Sequence, residues 1–109
     1  MQKVSIFYKQ KVVYVPVAQS AAETTILRAA VDGVKHKVLS CILMLSVTGT
    51  LKFSDGTDDL TGAMNISATG GFVLPASIIP YFESGRNRPL NLITTDGAAR
   101  GVIVLLTEA

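Results

Sequence analysis

The feature that most constrains this chain is its punctuation. From Val34 onward, turn-forming clusters recur so often that no long helix fits between them: Thr48-Gly49, Asp55-Gly56 running on to Asp58-Asp59, Thr69-Gly70-Gly71, Ser84-Gly85-Arg86-Asn87-Arg88-Pro89 and Asp96-Gly97. The intervening runs, Val38–Val47, Thr50–Phe53, Ala63–Ser67, Gly71–Leu74, Leu90–Thr94 and Gly101–Thr107, are rich in apolar and β-branched residues. Short runs of this kind, separated by turn signals every eight to twelve residues or so, predict an all-β antiparallel sandwich or barrel.

The N-terminal third is less uniform. Val4, Ile6 and Tyr8 alternate with Lys3, Ser5, Phe7 and Lys9, and Val13, Val15 and Val17 alternate with Val12, Tyr14 and Pro16. Lys9-Gln10-Lys11 between them reads as a polar turn, so residues 1–19 are expected to form an edge hairpin or an extended arm. Pro16 has no N–H to give to a ladder, which places its end of the run at a sheet edge. Helix and strand compete over Ser20–Gly33. Ser20 and Glu23 have capping-box spacing and Gly33 suits a helix C-terminus. Thr24-Thr25-Ile26 and the Asp32-Gly33 hairpin signal oppose them, and the β character of everything downstream favours strand. With no repeat or linker, residues 20–109 read as one sandwich domain.

Composition narrows the function classes. Of 109 residues, 49% are hydrophobic and 17% charged, against roughly 25% charged in an average soluble domain. Disorder is excluded, and a surface so poor in charge is expected to be covered by something. A net charge of +2 lacks the basic bias of a nucleic-acid binder. The longest apolar run, Val38–Val47, is about half a membrane-spanning helix. The N-terminal lysines followed by Val12–Ala18 imitate a signal peptide only faintly, because Pro16 breaks the apolar stretch. One cysteine and one histidine cannot build a zinc site or a disulfide framework within the chain.

Little material for catalysis is present. His36 lies between Lys35 and Lys37 and reads as a solvated strand end. Cys41, inside an apolar run, reads as an inert buried thiol. A dyad of the two is set aside because residues five apart on a regular strand face opposite ways. Asp55-Gly56-Thr57-Asp58-Asp59 is the densest carboxylate cluster, but the twelfth position of an EF-hand counted from Asp55 is Ile66, so a solvated turn is expected. Glu23, Glu83 and Glu108 form no recognisable glycosidase pair. Neither nucleotide-binding glycine motif occurs. Gly85-Arg86-Asn87-Arg88 is a small basic loop with room for an anion. The apolar strands and the absence of Trp argue against a nucleic-acid barrel.

Lys37-Val38-Leu39-Ser40, Leu51-Lys52-Phe53-Ser54-Asp55-Gly56 and Asp59-Leu60-Thr61-Gly62-Ala63-Met64, followed by Thr69–Pro75, Tyr81-Phe82-Glu83-Ser84-Gly85 and the closing Leu90-Asn91-Leu92 and Gly101–Val104, resemble small structural proteins of tailed phages. The resemblance covers about the last two-thirds of the chain. It implies a jelly-roll domain that serves as a capsid decoration (cement) subunit or as the head of a fibre. No catalytic, cofactor-binding or metal-binding residue is carried over from it.

The function expected is therefore that of a non-enzymatic virion protein, located on the outer capsid surface and bound to the major capsid protein. Self-association is expected, as a dimer in preference to a trimer; no nucleic acid, membrane or cofactor is involved. The alternative is a receptor- or glycan-binding module of a tail or fibre. A small hydrolase would need an acid–base pair that the sequence does not offer. Lys3, Phe7, Tyr8, Lys9, Lys11 and Tyr14, in the segment that the resemblance leaves unexplained, are the candidate interface residues, acting by strand addition and salt-dependent attraction.

Overall fold

The structure, a computed structural model, describes residues 10–68 and 70–108. Among them nine strands and no helix occur: β1 (Gln10–Ala18), β2 (Thr24–Arg28), β3 (Lys35–Leu45), β4 (Gly49–Ser54), β5 (Met64–Ile66), β6 (Gly71–Leu74), β7 (Phe82–Glu83), β8 (Leu90–Thr95) and β9 (Ala99–Glu108). They form two antiparallel sheets. The larger runs β1-β9-β3-β6, with β7 also on β3, and the smaller runs β2-β8-β4-β5.

Pairing is nested. β4 pairs β5, β3 pairs β6 and β7, β2 pairs β8, and β1 pairs β9, so the chain folds back on itself like a doubled ribbon rolled into two sheets. That is a jelly roll, the fold the sequence led us to expect. The contest over Ser20–Gly33 is resolved as strand, with β2 on β8 through Thr24↔Ile93 and Thr25↔Leu92.

The core lies between the sheets. Leu43, Leu45, Val38, Ile103 and Leu105 from the larger sheet meet Leu51, Phe53, Leu90 and Leu92 from the smaller one, all nearly inaccessible to solvent. The Phe53 ring bridges the layers, 4.9 Å from the Phe82 centroid and 6.3 Å from Phe72. These are tilted contacts in the range aromatic pairs favour.

Gln10 and Lys11 are not a turn, because they open β1 opposite Glu108 and Thr107; the apolar alternation of Val13, Val15 and Val17 simply continues the ladder. Lys9 lies outside the described residues. Pro16 lies in the edge strand of the larger sheet. The Gln19 amide donates to the Ala99 carbonyl at 3.0 Å, and successive residues of a strand turn their N–H groups to opposite sides. Odd-numbered residues of β1 therefore face β9, and Pro16 sits on the outer edge, where no ladder bond is lost.

Candidate assembly surface

Each strand of the larger sheet turns alternate side chains outward, and over the middle of the sheet those side chains are mostly apolar. β1 presents Val12, Tyr14, Pro16 and Ala18; β9 presents Val102, Val104 and Leu106; β3 presents Ile42 and Met44; β6 presents Val73. Registers bring them together in rungs: Tyr14↔Val104↔Ser40, Pro16↔Val102↔Ile42↔Val73, and Ala18↔Arg100↔Met44↔Gly71. Tyr14 is 71% exposed, and Val12, Ile42, Met44 and Val73 are each more than half exposed. The outer face of the smaller sheet is different in kind. Thr24, Thr50, Lys52, Asn65 and Thr95 dominate it, with Ile26 and Ile93 among them. One sandwich thus has a wet side and a side poorly suited to water.

Charge on the apolar face is confined to its two ends. At one, Lys37 lies 3.0 Å from Glu108 and 3.7 Å from Glu83, and Lys35 lies 3.2 Å from Glu83. The bond from Lys37 holds the Glu108 carboxyl below its ordinary range. At the other end is Arg100, exposed and without an ion-pair partner among the described residues. Beside it a hollow of about 390 Å³ is lined by Met44, Leu45, Ser46, Ala98, Arg100 and Gly101.

A second apolar feature stands on the loop between β6 and β7. Ile78 is 95% and Ile79 73% exposed. The loop is braced underneath: the Tyr81 hydroxyl donates to Pro75 O at 2.7 Å, and the amides of Ser77 and Tyr81 donate to Leu39 O and Val38 O.

Of the six residues the sequence singled out, Tyr14 lies on the apolar face. Lys11, of opposite parity, does not share it, and its exposed side chain sits where β1 pairs with Thr107. Lys3, Phe7, Tyr8 and Lys9 fall outside the described residues. Ile42, Met44, Val73, Val102, Val104 and Leu106 were missed, although a signal was available. In β3 and β9 both alternating sets are apolar, whereas a sheet with one wet face needs only one.

The candidate reactive groups are committed elsewhere. His36 is not a solvated strand end. It is fully buried, with Nε2 3.0 Å from Ala29 O and its backbone N–H donating to Ser84 Oγ. Burial lowers its pKa, the Ala29 bond opposes this and nearby Arg28 adds to it. Cys41 is buried, and desolvation pushes its thiol up to about 11 despite a bond from the Leu74 backbone. The bulge between Val38 and Ser40 turns both His36 and Cys41 inward, so facing does not separate them. Distance does: their partners on β9 are Thr107 and Ile103, roughly 13 Å apart along the strand.

The acidic turn is a latch rather than a solvated turn. Asp55, 2% exposed, accepts from the amides of Thr57 (3.1 Å), Asp58 (2.7 Å) and Gly85 (2.9 Å) and from Arg88 Nη1 (3.3 Å). Burial alone would raise its pKa; the donors from Asp58, Gly85, Thr57 and Arg88 prevail and bring it down to about 2. No cluster suited to a metal occurs among the described residues. The side chains of the basic loop make bonds within the fold: Arg88 pairs with Asp55 and Asp58, Arg86 donates to Gly33 O at 2.6 Å, and Asn87 accepts from the Gly33 amide.

No protein-family model and no curated protein matches the chain. Among solved structures, a chain from the disulfide-linked pili of Bacillus endospore appendages is similar at 15% identity and a TM-score of 0.48, over 90% of this chain and 83% of that one. A chain of CapF, solved with the inhibitor 3-isopropenyl-tropolone, is similar at 14% identity and a TM-score of 0.36, over 92% of this chain and 24% of that one.

Proposed function

We propose that this chain is a non-enzymatic structural protein of a virion, a capsid decoration subunit that binds the outer capsid surface and stabilises the head. Its partners in that reading are the major capsid protein and further copies of itself. The observation that supports the reading is the apolar outer face of the larger sheet, of a size that on soluble domains often marks a contact surface. Reinforcing a shell requires many weak contacts repeated over a symmetric lattice, and an apolar face supplies such contacts without reactive groups. The commitment of Asp55, Arg86, Arg88 and His36 to internal bonds agrees with a domain built to hold shape. The choice of a virion comes from the resemblance of Lys37 and the residues after it to tailed-phage structural proteins.

The test is to add the purified chain to phage heads that lack it, pellet the heads, and follow their thermal opening. Saturable co-sedimentation and a raised opening temperature are expected. Heads that neither bind the chain nor gain heat resistance would refute the proposal. Binding to host cells or surface polysaccharide instead would favour the receptor- or glycan-binding alternative.

A further inference from the structure

We propose that a second copy of this chain covers the outer face of the larger sheet. The two sheets pack face to face with their strands antiparallel, about a two-fold axis that crosses the strands at the level of Val104. This rests on reading that face as an assembly surface, and it names the occupant.

Area supports the pairing. β1, β9 and β3 are nine to eleven residues long, with the short β6 and β7 beside β3; at a spacing of about 4.8 Å and a rise of about 3.3 Å per residue they make a face of about 570 Å² in projection, its charged ends included. Contiguous apolar patches on monomers rarely exceed about 600 Å² and are often functional when they approach it. Two such faces in contact bury about 1,100 Å² before side-chain relief and rim are added, which clears the roughly 1,000 Å² that a specific interface requires. Stacked sheets with apolar inner faces are also the packing this molecule already uses between its own layers, at about 10 Å separation.

The placement of charge selects the register. Along β9, Arg100 comes four residues before Val104 and Glu108 four residues after it, and both point outward with Val104. A two-fold axis across the strands at Val104 therefore stacks Arg100 of each copy over the end of the other that carries Glu108 and Glu83. At that end Lys35 and Lys37 are already held by the same two carboxylates, so the arriving guanidinium joins a balanced cluster. An axis running along the strands would set Arg100 against its own symmetry mate. The middle rungs, Tyr14↔Val104↔Ser40 and Pro16↔Val102↔Ile42↔Val73, carry no charge and can be desolvated cheaply.

The full chain at micromolar concentration is expected to sediment as a dimer. Val104→Glu, which places two carboxylates together on the axis, should weaken the dimer at least about a hundredfold and leave the β circular dichroism spectrum unchanged. Should that variant fail to fold, Tyr14→Glu tests the same rung from a side chain already 71% exposed. Arg100→Glu and Glu108→Arg should each weaken association several-fold, and their combination should restore it. A monomeric wild-type chain, a folded Val104→Glu or Tyr14→Glu variant that still dimerises with the original affinity, or a double reversal that restores nothing would each overturn the proposal. The virion reading is judged separately. A dimer that ignores phage heads leaves this inference standing and removes that one. A monomer that binds heads does the reverse.

Discussion

At the scale of single residues, the polar groups inside this sandwich are structural, and their titration should be visible in its stability. Asp55 keeps the loop after β4 attached to the loop before β8 through the Gly85 amide and Arg88, and closes its own turn through the amides of Thr57 and Asp58. Asp55→Ala would strand those buried donors and is expected to cost about 2–4 kcal/mol by urea denaturation. His36 is neutral in the fold, with a pKa below the 6.5 of an unfolded chain. Below pH 6.5 the unfolded state therefore binds the extra proton first, and stability falls as the pH drops through the folded value. Asp55 titrates near 2 in the fold and near 3.8 when unfolded, so its contribution is complete above about pH 5 and lost between there and pH 2. The urea midpoint should accordingly be level around neutrality and decline in two stages on acidification. His36→Gln should remove the first stage and Asp55→Asn the second; one unbroken decline in both variants would contradict the assignment.

At the scale of elements, β9 organises the larger sheet, lying between β1 and β3 along its whole length. Gly101 is the position where that crowding is tightest. Its φ of +150° is one that other residues rarely adopt, and a Cβ there would collide with the carbonyl oxygen of Ile42 on β3. Gly101→Ala is expected to destabilise the fold by about 3 kcal/mol, read as a lowered thermal midpoint; an unchanged midpoint would mean that β3 and β9 can move apart without loss. β1 is an element of the sandwich and not an appendage. Val15 packs on the core, Val17 is 4% exposed within it, and nine residues pair with β9. Deleting residues 2–17 should therefore unfold the domain. A truncated chain with intact β circular dichroism would show that β9 tolerates a bare edge.

At the scale of the whole molecule, the two sheets divide the work. The smaller turns a largely polar outer face to solvent, and the larger turns out an apolar one. Association through the apolar face is driven by burial of carbon, which salt does not screen, with charge only at the two ends. Raising sodium chloride from 0.05 to 0.5 M (chosen to shorten the Debye length well below the span of the face) should change the self-association constant by less than about tenfold. A loss of several orders of magnitude would show that lysine-driven attraction carries the contact. The nested pairing also joins the two ends of the described chain, Gln10 to Glu108. Contacts so distant in sequence make loop closure slow, and refolding in milliseconds to seconds is expected.

Local chemistry by itself determined the fold class. Turn residues act within a few positions of themselves, and a chain cut every ten residues by glycine, asparagine and aspartate has room for strands and none for long helices. The β6 span and most of β3, β4, β8 and β9 were legible for the same reason, as was Pro16 at an edge. Tertiary structure decided what no local signal encodes. A single bulge in β3 reversed the facing of His36 relative to Cys41. Pairing with the distant Glu108 and Thr107 turned the polar Gln10 and Lys11 into strand. Asp55 became buried because a loop thirty residues away added the Gly85 amide and Arg88 to the donors of its own turn. The apolar face was present in the alternation of β3 and β9, but only the order of strands in the sheet, which depends on which ladders close around a shared core, set Tyr14, Val104, Ile42 and Val73 side by side.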